Sequence, residues 1–211
     1  MERETAIARL IGHVFGDASI HKTKYYFVYT NSNNVLQRKV KELVIKTFGN
    51  IKYNVGTSIG GILRYQYPSR VGKFLSERGA PIGSKITQPT TIPEWIFKGD
   101  DKIKSSFLGA IFDDEGYFRD SSNSKQIVFK ASKIIELRPD LERYLLQIIQ
   151  MLDDLGIKAS TVKHDQLKTK KNGIEVISLR FWITGNNNFR NFREKITIFH
   201  PEKIKKLSNM I

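Results

Sequence analysis

The chain carries one short pattern twice, and this internal repetition limits its possible folds more than any other feature. The first copy is Ile7-Ala8-Arg9-Leu10-Ile11-Gly12-His13-Val14-Phe15-Gly16-Asp17-Ala18-Ser19-Ile20. The second is Ser106-Phe107-Leu108-Gly109-Ala110-Ile111-Phe112-Asp113-Asp114-Glu115-Gly116-Tyr117-Phe118. Each reads as an apolar helix that stops at an acid, Asp17 or Glu115, and passes at once into strand-like sequence. Ala8, Gly12 and Gly16 recur every fourth residue and so share one helix face. Ser106 and Ala110 make a similar stripe. Small side chains there admit another helix at close range. Where the stripes meet, the C-terminal ends of the two helices converge and bring Asp17 close to Glu115.

The sequence between the helices repeats as well. In the first half, strand signals through Tyr25 to Thr30 lead to the polar cap Asn31-Ser32-Asn33-Asn34. An amphipathic helix follows with Leu36, Val40, Leu43, Val44 and Phe48, stopped by Gly49. A hairpin from Ile51 to Tyr67 turns at Gly60-Gly61, and a short helix from Val71 to Arg78 leads to Lys85. In the second half, a strand through Gln126 to Ala131 precedes a helix that starts near Pro139 and stops at Gly156. A longer hairpin, Lys158 to Thr184, turns at Asn172-Gly173, and a helix around Phe189 to Ile196 leads to Lys203. Phe74 precedes Lys85 by 11 residues, as Phe192 precedes Lys203. The expected fold class is α+β: two pseudo-symmetric αββαββα halves with antiparallel sheets, 1–88 and 105–211, joined by a linker at 89–104. Trp95, Ile96 and Phe97 should anchor that linker to the core.

Such sheets cover one face with helices and leave the other free. Ile127, Phe129 and Ala131 fit a core face, while Gln126, Val128, Lys130 and Ser132 alternate with them and face outward. Arg64 and Gln66 alternate with Leu63, Tyr65 and Tyr67; Ser178, Arg180, Trp182 and Thr184 alternate with Ile177, Leu179, Phe181 and Ile183. An outward face of Arg, Lys, Gln, Ser and Thr suits base edges and phosphates in a major groove. Charge agrees: 35 Lys plus Arg against 21 Asp plus Glu give +14, spread over many elements, which predicts a polyanionic partner lying along a groove. Candidate DNA contacts are His21, Thr23, Tyr26, Thr30, Arg64 and Gln66, then Arg119, Ser121, Lys125, Gln126, Lys130, Ser132, Lys163, Lys168, Arg180 and Trp182. The tip Lys168-Thr169-Lys170-Lys171 reads equally as a solvated turn or a grip on phosphates.

A membrane partner is not expected: no apolar run approaches the ~20 residues needed to span, and the N-terminus is charged rather than signal-like. The absence of cysteine removes disulfides, zinc ribbons and thiolate chemistry, which fits a cytoplasmic location. His13, His21, His164 and His200 show no metal-ligand spacing.

Two carboxylates at helix C-termini repel each other and the negative ends of the helix dipoles. A divalent cation relieves this, with the carbonyls of Gly16 and Asp114 as further ligands beside Asp17 and Glu115. Oxygen ligation with few protein groups suits Mg²⁺, and the matching chemistry is phosphodiester hydrolysis. Lys85 and Lys203, at matching places in the repeat, would offset charge at the scissile phosphate. Asp113 corresponds to Phe15 and reads as a cap or supporting group.

At these residues the chain resembles the LAGLIDADG homing endonucleases. Gly12 to Asp17 looks like a first motif and Leu108 to Gly116 like a second, although Ala18 and Ala110 stand where the motif usually has glycine. Two motifs in one chain resemble the monomeric members, such as archaeal intron-encoded enzymes. The resemblance implies a saddle of antiparallel strands and a catalytic set of Asp17, Glu115, Lys85 and Lys203. It also implies Mg²⁺-dependent double-strand cleavage, with Mn²⁺ able to substitute, at a long, asymmetric, only pseudo-palindromic DNA site during intron homing. An intron RNA maturase and a non-catalytic DNA-binding regulator are the alternatives on the same scaffold, the former adding intron RNA as a partner. No inserted protein-splicing domain is recognisable, which argues against an intein.

Overall fold

The computed structural model describes residues 2–58, 60–121, 124–170 and 172–211; Lys171 of the hairpin tip lies outside them. Its centre is a pair of helices, α1 (Arg3–Phe15) and α5 (Asp101–Glu115). Every residue of α1 from Thr5 to Phe15 is buried, as are Phe107 to Asp113 of α5. The small-residue faces do meet. A methyl group added at Gly12 would lie 2.7 Å from Ala110 Cβ and 2.7 Å from the Phe107 carbonyl oxygen. The side chain of Asp114 fills the space that Gly16 leaves open. The helix ends differ from expectation by two residues. Gly16 leaves helical backbone (φ −93°, ψ −120°), so α1 stops at Phe15 rather than at Asp17, whereas α5 continues through Glu115.

A four-stranded antiparallel sheet flanks each helix. The first contains β1 (Ala18–Ile20), β2 (Phe27–Thr30), β3 (Asn54–Thr57) and β4 (Leu63–Tyr67), in the order β1-β2-β4-β3. The second contains β5 (Tyr117–Ser121), β6 (Ser124–Ile134), β7 (Lys163–Thr169) and β8 (Glu175–Ile183), in the equivalent order β5-β6-β8-β7. Each sheet is crossed by one long helix, α2 (Asn34–Phe48) or α6 (Arg138–Asp154). The Asn33 side chain starts α2 by accepting from the Val35 and Leu36 N–H groups, relieving two of the unpaired donors at a helix start. Gly49, at φ 77°, ends it.

Strand alternation follows the expected faces where the chain reaches the core. Ile127, Phe129, Leu179, Phe181 and Ile183 are buried, and the Phe129 ring lies 5.3 Å from Phe112 and 5.6 Å from Phe181. One outward position is an exception: Ser178 is buried, because its hydroxyl pairs across the strands with Ser132 at 2.7 Å. The connection between halves holds a short helix, α4 (Glu94–Phe97). Ile96 is fully buried and the Trp95 indole N–H donates to the Arg78 carbonyl at 2.9 Å.

The symmetry breaks at the ends of the halves. α3 (Ser69–Glu77) and α7 (Asn186–Lys195) correspond, but the segment after α7 forms a further helix, α8 (Pro201–Met210), which the sequence repeat does not predict. Pro201 sits in its first turn, where a missing N–H costs nothing, and Leu207 and Met210 are buried. The equivalent stretch around Lys85 is a turn. No helix among the described residues is long and apolar enough to cross a membrane.

Candidate active site

Asp17 and Glu115 sit where the ends of α1 and α5 meet. The Asp17 backbone N–H donates to the Asp114 carboxylate at 3.0 Å, so the residue before Glu115 ties α5 to the chain leaving α1. Asn31 donates to the Asp17 carboxylate at 2.7 Å. Burial raises the Asp17 carboxyl to about 7, and the negative charges of Asp114 and Glu115 add to the shift. Burial also raises Glu115, against the pull of Lys85 and Lys203. The two acids are thus electrostatic neighbours.

Both predicted lysines reach this point, by different routes. The Lys85 amino group donates to the Gly16 carbonyl and, at 3.3 Å, to that of Ala18. Lys203, in the first turn of α8, donates to the carbonyls of Phe112 at 3.0 Å and Asp113 at 2.5 Å. Each amino group therefore neutralises the C-terminal end of one central helix. Burial lowers both pKa values while the surrounding carboxylates raise them. The Gly16 carbonyl, expected to face a cation, is occupied by Lys85 instead.

Asp114 is the largest departure. It was expected to offer its carbonyl, yet its side chain is fully buried and heavily used. One carboxylate oxygen accepts from the Asp17 N–H and lies 2.9 Å from His13 Nδ1; the other accepts from the Tyr29 hydroxyl at 2.9 Å. Asp113 matches its reading as a supporting group. It is buried, pairs with the buried Arg9 guanidinium at 2.5 Å, and accepts from the N–H groups of Phe199 and His200 at 2.9 Å each. It thereby ties α5 to the segment that launches α8. Lys133 was not anticipated either. Its buried amino group donates to the carbonyls of Lys85 and Gln88, each at 2.6 Å, and to the Thr90 hydroxyl. The β6 strand thus holds the backbone beneath Lys85.

Among the described residues, no three His, Cys, Asp or Glu side chains cluster as metal ligands. The donor set is two carboxylates flanked by water-accessible space, which fits a hard cation that retains water and phosphate oxygens.

A hollow of about 430 Å³ runs from Glu115 over the open face of the second sheet, lined by Tyr117, Arg119, Gln126, Lys130, Arg180 and Trp182 among others. Five of the expected contacts in that half, Arg119, Gln126, Lys130, Arg180 and Trp182, therefore share one concave surface with Glu115. Ser121, Lys125, Lys163 and Lys168 are exposed away from that hollow's lining, and Ser132 spends its hydroxyl on Ser178. In the first half, His21 and Thr23 are exposed, and the His21 ring accepts from the Lys24 N–H at 3.1 Å, which fixes its turn. Tyr26, Thr30, Arg64 and Gln66 are half-buried, with Arg64 donating to Gln66 at 3.0 Å.

Comparisons with known proteins agree with this architecture. Residues 102–197, most of the second half, match the LAGLIDADG-like domain family. The whole chain has the two-part LAGLIDADG fold. It superimposes on I-DmoI in complex with DNA and Ca with a TM-score of 0.62, 12% identity, and coverage of 97% of this chain and 98% of that one. The N-terminal LAGLIDADG domain of DUF199/WhiA gives 0.56 and 15% identity, covering 98% and 88%. Among curated proteins, the tRNA-splicing ligase RtcB of Pyrococcus furiosus is 24% identical over 94% of this chain but 22% of its own length. The RNA polymerase subunit Rpo1N of Methanocaldococcus jannaschii is 26% identical over 98% of the chain and 17% of its own length. The chain thus spans about a fifth of the curated relatives it matches.

Proposed function

We propose that this chain is a site-specific, divalent-metal-dependent DNA endonuclease that cuts both strands of a long asymmetric target. The observation that carries the reading is the meeting of Asp17 and Glu115 at the ends of two packed helices, beside two lysines and below an open basic sheet face. On this reading Asp17 and Glu115 hold the ion. Mg²⁺, with Mn²⁺ able to replace it, would supply activation of water and charge stabilisation at the phosphate. Lys85 and Lys203 present positive charge to the scissile groups, and the two sheets grip the duplex. The halves 1–88 and 105–211, joined by 89–104, would each face one half-site. The I-DmoI structures, solved with DNA and with Ca or Mn, support this assignment. Matching stretches inside a ligase and a polymerase subunit support reading the segment as a portable module rather than as part of either activity.

A regulator that binds DNA without cutting it is the second reading, favoured by the likeness to the WhiA domain. One assay separates them: incubation of purified protein with a plasmid library of randomised sites, with Mg²⁺ or with chelator. Linear product that requires Mg²⁺ is expected. Asp17→Asn and Glu115→Gln should each cut at least about a hundredfold more slowly while binding persists, since loss of even outer-shell partners costs about 10–100-fold. Sequence-specific binding with no cleavage in either ion would establish the regulator, and preferential binding of structured RNA the maturase.

A further inference from the structure

The second sheet sets an acid, Asp165, between two of its basic groups, and the proposed chemistry does not use it. β6 and β8 place Lys130 directly opposite Arg180, and β7 places Lys163 opposite Arg180 on its other side. Like charges facing each other across strands are unfavourable. The chain answers with a bulge. The pairing of β7 with β8 jumps from His164 opposite Leu179 to Gln166 opposite Ser178, so Asp165 is an extra residue without a partner. Bulges re-aim a side chain, and this one sends the Asp165 carboxylate between the cations, 2.5 Å from Lys130 Nζ and 3.0 Å from Arg180 Nη1. The Asp165 side chain is 15% exposed, but those of Lys130 and Arg180 stay 43% and 46% open to the hollow.

The first sheet supplies a natural comparison. Val28 lies opposite Gln66 as Val128 lies opposite Trp182; two residues further on, Thr30 lies opposite Arg64 as Lys130 lies opposite Arg180. Arg64 and Arg180 are therefore equivalent. Among the described residues, Arg64 is steadied by the neutral amide of Gln66 at 3.0 Å. Arg180 is steadied by a charge.

We propose that Asp165 and Arg180 form a specificity-determining pair that reads one guanine in the half-site facing the second sheet. The inference rests on the DNA-binding reading above. Arginine offers five N–H donors in a rigid fork, and guanine presents two acceptors, O6 and N7, on its major-groove edge. Asp165 occupies one donor and fixes the plane of the fork, leaving the others for the base. Its presence in the groove also repels phosphate, which penalises a guanidinium that swings away to the backbone. Thus one carboxylate favours the base over the backbone for both Arg180 and Lys130.

The test is selection of bound duplexes from a randomised pool by the full-length protein, its Asp165→Asn and Arg180→Ala variants, and Arg64→Ala as control. The unaltered protein should select guanine at one position of one half-site, by about 5- to 150-fold over other bases. Asp165→Asn should flatten that position while tightening binding to unrelated duplexes, because a negative charge has left the groove. Arg180→Ala should flatten it too, and Arg64→Ala should flatten only a position in the other half-site. Unchanged base preferences in Asp165→Asn, with circular dichroism showing a folded protein, would overturn this inference and leave the DNA-binding reading intact. A protein that selects no duplex at all would overturn both.

Discussion

Arg9→Met tests what joins the two halves. Arg9 is 1% exposed, and in one position it makes an ion pair with Asp113 at 2.5 Å, donates to the Thr197 carbonyl at 3.0 Å and lies 3.7 Å from the centre of the Phe199 ring. Methionine fills much of the volume but leaves Asp113 without its cation. Breaking one side of a buried pair costs about 3–5 kcal/mol. Here the lower end is expected, because Asp113 keeps the N–H groups of Phe199 and His200. About 3 kcal/mol in a chain of this size lowers Tm by roughly 6–12 °C. The loss should depend on pH in a definite direction. Burial already raises the Asp113 pKa, and Arg9 is the first force opposing that rise. Without Arg9 the folded pKa climbs further above the unfolded value, so the variant loses stability as pH rises and recovers some when the acid is protonated. Urea unfolding of metal-free protein at pH 5 and pH 7 measures both effects. A penalty below about 1 kcal/mol at pH 7, or a penalty that grows as pH falls, would refute the account.

Three other outcomes follow from single contacts. Gly12→Val should destabilise by about 1–3 kcal/mol, since a Cβ there meets Ala110 and the Phe107 carbonyl at 2.7 Å; an unchanged or higher Tm would show that α1 and α5 do not pack this closely. Lys133→Met strips donors from the carbonyls of Lys85 and Gln88 and should cost about 1–3 kcal/mol, read by denaturant midpoint, with unchanged stability counting against the clamp. Asp17 has a folded pKa near 7 against an ordinary 3.8; its contribution is complete below about pH 4 and is lost as pH rises through 7, so metal-free Asp17→Asn should show a flatter decline of stability over that range. Mg²⁺ should then raise the Tm of the unaltered protein at pH 8 more than at pH 5, and equal shifts would remove Asp17 from the cation's ligands.

The central helices, the strand order and the convergence of four groups at one point were legible because a repeat aligns residues without any knowledge of geometry. Asp17 matches Glu115, and Lys85 matches Lys203, by position in the two copies alone. What the repeat hides is where the copies differ. Asp114 aligns with Gly16, so the repeat suggested a shared backbone role, and only packing shows that one residue's missing side chain makes room for the other's carboxylate. α8 was missed for the same reason: its counterpart around Lys85 is a turn, so the repeat argued for no helix, although Pro201 and the spacing of Leu207 and Met210 were available signals.

Lys133 and Asp165 illustrate a second limit, set by strand register. Along β6 the odd positions Ile127, Phe129 and Ala131 point inward, and Lys133 continues that series although it is charged. Hydropathy places such a residue outside. It can lie inside because the segment from Lys85 to Thr90 crosses the end of that strand and offers three oxygens, a number equal to the donors of an ammonium group. In β7 the alternation of Lys163, Asp165 and Leu167 reads as one face, but the bulge shifts register after His164 and separates Asp165 from both neighbours. Each residue thus owes its place to a contact made by a different segment, Lys133 to the crossing chain and Asp165 to the cations of β6 and β8. A repeat fixes which residues correspond, whereas the chemistry at each corresponding point depends on what the rest of the chain lays across it.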